Sequence, residues 1–143
     1  MEQPKPQESQ SKDTKPSGYK VDTMLLLESS FSREADIDIK NVSEITNEIE
    51  IKPDAHETTA DNKFAVTLFI SYKGLQNQKQ ICNASIKMIG IFEKYGEPAL
   101  SDDKFKAINA PAIIYPFIRE HLYNLCLKAG IANVLLPTVN FKP

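Results

Sequence analysis

Few side chains in this sequence have the types and spacing that covalent or metal chemistry requires. Its 143 residues include two cysteines, Cys82 and Cys126, and two histidines, His56 and His121. The cysteines are far apart and form no C-x-x-C pair, and no His or Cys pair has the short interval of a metal site. His56 falls in a polar run. His121 falls in a helical pattern, where a partly buried helix residue is the plain reading. Five glycines make no phosphate-cradling loop, and no G-x-S-x-G nucleophile turn is present. The acidic residues alternate with apolar ones, the pattern of a solvated sheet face and not of a paired acid and base. The residues therefore predict no enzyme, no metal and no cofactor.

Binding chemistry is better represented. By strand parity Phe69, Ile81, Ile89 and Ile91 share the face opposite the core on neighbouring strands. An apolar patch bordered by carboxylates suits extended polypeptides with basic flanks. The same four side chains suit a contact between subunits equally well, and the residues alone leave both readings open.

The elements that position these residues follow from periodicity. Tyr19–Phe31 reads as a first strand, with Tyr19, Val21, Leu25, Leu27 and Phe31 on one face and a mixed opposite face that includes Met24 and Leu26. Ser43–Lys52 reads as a second, with Ile45, Ile49 and Ile51 facing one way and Glu44, Thr46, Glu48 and Glu50 making a wet, acidic face. Ile37 and Ile39 suggest a short extended segment before it, and Pro53 with the polar run after it predicts a loop. Lys63–Lys73 alternates most clearly: Phe64, Val66, Leu68, Ile70 and Tyr72 against Ala65, Thr67, Phe69 and Ser71. A turn over GLQNQ leads to a fourth strand, Lys79–Phe92, whose even positions from Cys82 to Phe92 face the core. Together these predict an antiparallel sheet with one face fully covered.

A helix is expected over Pro111–Ala129, with Asn109 near its cap, Pro111 in its first turn and Gly130 as its left-handed stop. Pro116 must kink it or mark its start. Ile113, Ile114, Phe117, Ile118, Leu122 and Leu125 form the expected stripe, but Tyr115, Tyr123, Cys126 and Leu127 carry apolar surface nearly round the cylinder. Such a helix is buried on more than one side. One small sheet covers one side, so Tyr123 and Leu127 are expected at a subunit interface of a homo-oligomer.

Composition bounds the reading. The chain holds 41% apolar and 25% charged residues, ordinary values for a globular protein, and is long enough for one domain. Residues 1–18 hold three Pro, three Lys and three acids with Met1 as the one apolar residue, which predicts a disordered tail before a single domain over 19–143. With 17 basic against 19 acidic residues, only Arg33 and Arg119 as arginines and no basic run, nucleic acid is not an expected partner. No apolar stretch approaches the roughly 20 residues of a membrane span. The opening MEQPKPQESQ has no apolar core of an export signal, so two free thiols in a cytoplasmic setting are expected.

The C-terminal half carries a resemblance. ICNASIKMIGIF, NAPAIIYPFIREHLYNLCLKAGI and LLPTVNF resemble the SecB protein-export chaperone family. The matching elements are Gly90-Ile91-Phe92, Pro111, Tyr115-Pro116-Phe117, Arg119-Glu120, Gly130 and Val139-Asn140-Phe141. The resemblance implies an α+β fold: a four-stranded antiparallel sheet of order 1-4-3-2 with a long C-terminal helix packed on one face. It implies a dimer of dimers with the helices between two sheets. It also implies ATP-independent holding of unfolded or nascent polypeptides and delivery of precursors to a SecA-type motor through an acidic outer sheet face. The family's docking positions fall on Glu28 and on Ile81 and Asn83, where the family has a Leu-x-Glu-like pair. The family has two acids four apart on the first strand: Glu28 matches the second, and Met24 occupies the position of the first, with Asp22, two residues away, expected to substitute for it on the same face. The family pattern continues past Val-Asn-Phe into a second helix, whereas this sequence stops at Pro143. Two alternatives remain: a chaperone dedicated to one partner such as a toxin–antitoxin module, and an oligomeric interaction or small-ligand domain that reuses the fold.

Overall fold

The computed structural model of the chain describes residues 15–36, 45–57, 62–131 and 134–142. Of the expected tail, residues 1–14 lie outside the described residues, as does the short segment at Ile37 and Ile39. The expected boundary moves forward, because Gly18 already belongs to the first strand and Pro16 and Ser17 lie against Gly96.

Four strands, β1 (Gly18–Arg33), β2 (Thr46–Glu57), β3 (Lys63–Gln76) and β4 (Lys79–Tyr95), form one antiparallel sheet in the order β1-β4-β3-β2. The alternation in β3 and β4 is as expected: Val66, Leu68, Ile70, Ile86 and Phe92 are buried on one face. The β3–β4 turn is tighter than the GLQNQ stretch suggested. Only Asn77 and Gln78 make it, both with positive φ, as a two-residue hairpin on right-twisted strands requires.

Two strands differ from expectation. β1 carries register shifts between Val21 and Thr23 and between Leu26 and Glu28. One extra residue reverses the alternation, so the expected single apolar face is split. Tyr19, Val21, Met24, Leu26 and Phe31 pair with core-side positions of β4, whereas Leu25 pairs with Ile89 on the other face. In β2 the strand does not stop at Pro53 but continues to Glu57, which places His56 in a strand. β2 is an edge strand, and an edge tolerates proline because one side of its backbone makes no ladder bond.

The helical region begins at Asp102, earlier than expected. Ser101 caps it, its side-chain oxygen accepting from Lys104 N–H at 3.3 Å, with Asp102 and Asp103 in the first turn. A π-helical turn follows over Phe105–Asn109 and runs into the long helix α1 (Ala110–Lys128). Asn109 makes no side-chain cap bond. The wider π turn precedes Pro111, whose missing N–H a regular helix could not use. Pro116 neither starts nor ends α1 but lies inside it. The helix stops as expected at Gly130, with φ +78°: Gly130 N–H donates to Leu127 O at 3.0 Å and Ile131 N–H to Cys126 O at 2.8 Å. Arg33 Nη1 donates to Ala129 O at 2.5 Å and so places a cation at the negative end of α1.

α1 packs on one face of the sheet, over β3 and β4. Its buried stripe is Ile114, Tyr115, Ile118, Leu122 and Cys126. Phe117, expected in that stripe, is 51% exposed. Gly90 lets helix and sheet approach closely: a Cβ there would stand 2.8 Å from the Phe92 ring and 3.4 Å from Ile114 Cδ1. At the helix entrance Tyr19 stacks on Phe105 with ring centroids 4.1 Å apart, and its hydroxyl lies 2.8 Å from both Leu100 O and Asp102 Oδ1. Residues 134–142 follow α1 without helix or strand, with Val134 and Leu136 buried in the core.

Both thiols are buried and free. Burial, reinforced by the neighbouring Cys82, pushes the Cys126 thiol from 9.0 to about 12, and burial also raises Cys82. Burial raises the Tyr72 hydroxyl and, with the Asp102 carboxylate, pushes Tyr19 to about 12. These groups stay protonated in the folded chain at pH values where the unfolded chain has released the protons. Their stabilisation is complete below pH 9 and is lost as pH rises toward 12. Urea titrations should show a midpoint that falls steadily from pH 9 to pH 11, with a shallower fall in Cys126→Ala. A midpoint independent of pH over that range would show that the thiols are not held neutral.

Candidate polypeptide-binding face

The helix-free face of the sheet can be mapped row by row, because directly paired strand residues share a face. Across β1, β4 and β3 the rows are Thr23–Ile91–Ala65, Leu25–Ile89–Thr67 and Glu28–Lys87–Phe69. Phe69, Ile89 and Ile91 are therefore neighbours on one surface, each half-buried, with Leu25 beside them 48% exposed. Sequence parity missed Leu25. The run Met24–Leu27 is apolar at every position, so no alternation was there to reveal the bulge after Leu26.

Ile81 requires a correction. It was expected on this face, both in the apolar patch and as a docking position, but it is 4% exposed and belongs to the core cluster. The cause is a register shift in the β3–β4 pair: Gly74 pairs with Cys82, but Leu75 pairs with Gln80. Ile81 is the extra residue, and the bulge turns its side chain to the core side beside Cys82. Asn83 does face outward, in a row with Ser32 and Lys73, and accepts a hydrogen bond from Ser32 Oγ at 3.2 Å.

Charges frame the patch in pairs. Lys63 lies 2.9 Å from Asp22 and Lys20 3.4 Å from Glu93 at one end. Lys87 lies 3.9 Å from Glu28 and Lys52 3.3 Å from Glu50 at the other. The Asp22 carboxylate raises the Lys63 ammonium, by hydrogen bond first and by charge second. The face expected to be acidic is thus lined by lysine–carboxylate pairs. Asp22 reaches it because the first bulge of β1 separates its orientation from that of Met24, which packs against the core instead.

On the opposite side of the molecule Tyr123 is half-buried and Leu127 is 44% exposed on the solvent side of α1. His121 faces β1, its Nε2 2.8 Å from Ser29 Oγ. His56 Nε2 lies 3.5 Å from an Asp54 carboxylate oxygen. Among the described residues no group of three His, Cys, Asp or Glu side chains could hold a metal ion, and no helix is long and apolar enough to cross a membrane.

The family model described as "Preprotein translocase subunit SecB" matches residues 9–143. The chain belongs to the SecB family. Among its relatives, the protein-export protein SecB of Halorhodospira halophila is 29% identical over 87 residues, 61% of this chain and 50% of that protein. The protein-export protein SecB of Herminiimonas arsenicoxydans is 30% identical over 86 residues, 60% of this chain and 52% of that protein. The matching stretch thus spans about half the length of these curated relatives. Among solved structures, a SecB-like chaperone of Mycobacterium tuberculosis in complex with a ChAD peptide from an antitoxin superposes with a TM-score of 0.68, at 16% identity, over 85% of this chain and 88% of that one. The SecB fold expected from the C-terminal motifs, with strand order 1-4-3-2 and a long helix on one face, is the fold observed.

The sheet gives two isoleucines of β4, Ile81 and Ile89, opposite environments, and substitution separates them. Ile81→Ser should cost about 3 kcal/mol in chemical denaturation, because it leaves a void and a buried hydroxyl. Ile89→Ser should cost less than about 1 kcal/mol. The reverse ranking would mean that β4 bulges elsewhere.

Proposed function

We propose that the protein is a cytoplasmic holding chaperone that binds unfolded or nascent polypeptides without ATP and performs no catalysis. The observation that carries this reading is the apolar patch Leu25, Ile89, Ile91 and Phe69 on the sheet face that no helix covers among the described residues. Family membership supports it, as do relatives named protein-export proteins and a structural neighbour solved with a bound peptide. Fully burying one such side chain against a client is worth roughly 1.5–3 kcal/mol before ordering costs. Half-buried side chains gain less each, so capture depends on several acting together. The flanking ion pairs leave little net charge on the face, so salt weakens capture only modestly.

Replacing Ile89 and Ile91 together by Ser should weaken capture of a reduced, unfolded client about tenfold, since ~0.7 kcal/mol lost at each is enough. Circular dichroism and thermal unfolding should show the fold retained. A folded double variant that suppresses aggregation as well as the parent would move the client surface elsewhere.

We further propose that the working form is a homo-oligomer, a dimer of dimers, with Tyr123 and Leu127 at a subunit interface. Exposed Phe117 on α1 and Val21 and Leu26 on the helix side of β1 support this, since they make one flank apolar. Sedimentation should find Tyr123→Glu in smaller species than the parent, because the contact would bury an unpaired charge. A parent that sediments as a folded monomer at micromolar concentration ends this reading. Docking of a SecA-type motor is a second reading. Asp22, Glu28 and Asn83 share the outer face and favour it, with Ile81 taken out of that site by its burial. The neighbour's antitoxin peptide favours instead a single dedicated partner.

A further inference from the structure

The apolar patch on the helix-free face is wider than one extended chain. Leu25 lies on β1, Ile89 and Ile91 on β4 and Phe69 on β3, so the patch crosses two strand spacings. At about 4.8 Å each, that is a width of roughly 10 Å. A helix with its side chains is roughly 10–12 Å across, whereas an extended chain covers about one strand spacing. Along the strands the patch runs from the Ile91 row to the row of Lys87 and Phe69. That distance is roughly 13 Å, the length of about nine residues of helix. The patch therefore has the footprint of a short helix.

Its relief runs the same way. Ala65 and Thr67 of β3 pair with Ile91 and Ile89 of β4 on one side and with His56 and Asp54 of β2 on the other. Two small side chains thus stand between taller neighbours, and Phe69 closes one end of the line. Helical side chains spaced i, i+4 and i+7 fit along it. The backbone argues against an extended occupant. β3 and β4 each have a strand on both sides, so no ladder position is open to a chain that lies on their face. Such a chain gives up water along the contact and gains no main-chain partner. A helix arrives with its main-chain groups already paired.

Charge selects the kind of helix. Glu28 on β1 and Glu50 and Asp54 on β2 have side chains 63%, 68% and 71% exposed, and they flank the patch on both edge strands. Lys63 and Lys87 of the inner strands are less exposed, at 39% each, and lie against Asp22 and Glu28. Lys52 stands among the β2 carboxylates, 3.3 Å from Glu50. The edges thus offer more carboxylate than ammonium to an occupant.

We propose that this face holds its occupant as an amphipathic helix, with apolar side chains on Leu25, Ile89, Ile91 and Phe69 and basic side chains along both flanks. The inference rests on the polypeptide-holding reading and names the conformation in which a segment is held. The occupant is a nascent helix of a client, a segment that has made its own backbone bonds and has not yet reached the core that will cover its apolar stripe.

The test uses the full chain and a synthetic Leu/Lys/Ala peptide of about 14 residues, unfolded when free, with leucines at i, i+3, i+4 and i+7 and lysines on the flanks. Its helical circular dichroism should rise on binding. The same peptide with one central Ala→Pro should bind at least tenfold more weakly, because it cannot complete the helix. A version with glutamates in place of the lysines should bind at least threefold more weakly. Ile89→Ser with Ile91→Ser should weaken binding of the first peptide about tenfold in a chain whose own fold is retained. Equal binding of the proline or the glutamate peptide, binding without a gain in helix, or unchanged binding to the double variant overturns the proposal. The three peptides alone decide the matter if the double variant does not fold. Aggregation of reduced α-lactalbumin tests the holding reading separately. A chain that binds the first peptide as a helix and leaves that aggregation unchanged keeps the helix-binding face and removes the holding function. A chain that captures α-lactalbumin but binds the proline peptide equally well keeps the holding function and overturns the helix.

Discussion

One helix is narrower than four strands, and most of this structure follows from that mismatch. Four strands at their usual spacing put the outer two roughly 14 Å apart, before side chains are added. A helix with its side chains is roughly 10–12 Å across. α1 sits over β3 and β4, so apolar surface remains on both flanks. On the β2 flank the chain covers the gap with its own residues 134–142, reached through Tyr115. On the β1 flank the described residues supply the His121–Ser29 contact, the Arg33 bond to the helix end and, at the helix entrance, Tyr19 on Phe105, while Val21, Leu26 and Phe117 stay exposed. The two flanks are thus unequal. One is covered by residues 134–142, and the other keeps apolar side chains exposed.

The helix-free face obeys a different constraint. An apolar row on an exposed sheet invites aggregation unless its borders stay polar. Asp22–Lys63 and Lys20–Glu93 at one end, with Glu28–Lys87 and Glu50–Lys52 at the other, supply that border. Exposed ion pairs of this kind add little to stability. Their effect is on the surface: charge is present at every edge of the patch, while the net potential over it stays small. A surface built this way favours apolar contact and sets few demands on the charge of whatever lies against it.

The sequence was most readable where one period ran unbroken. β3 and most of β4 alternate without interruption, and the side chains expected in the core are there. The C-terminal motif run announced the fold because its glycines and prolines sit at fixed backbone events, such as the left-handed stop at Gly130. Where a single residue is inserted, parity carries no information about the far side of the insertion. That is why Leu25 and Ile81 exchanged faces, the first through the bulges of β1 and the second through the shift beside Gly74. The helix start was hidden for another reason. A π turn breaks the 3.6-residue rhythm between Phe105 and Asn109, so the apolar stripe becomes visible only from Pro111. Ser101 followed by two aspartates was the local signal of the true start. Pro53 misled in the opposite direction, because a proline stops a central strand but not an edge one.

On the holding function proposed above, selectivity for unfolded chains follows from how shallow the contacts are. Phe69, Ile89 and Ile91 are each already half-covered by neighbours, so a client recovers only part of the free energy that a fully exposed side chain would offer. No single contact holds a client, and the gain accumulates with the length of apolar segment laid across the rows. A folded protein presents scattered apolar residues rather than an extended run, so it engages one row at most. An unfolded chain can lie along several rows at once. On that reading the multiple contact is lost when the client folds, which gives release a physical cause that needs no nucleotide.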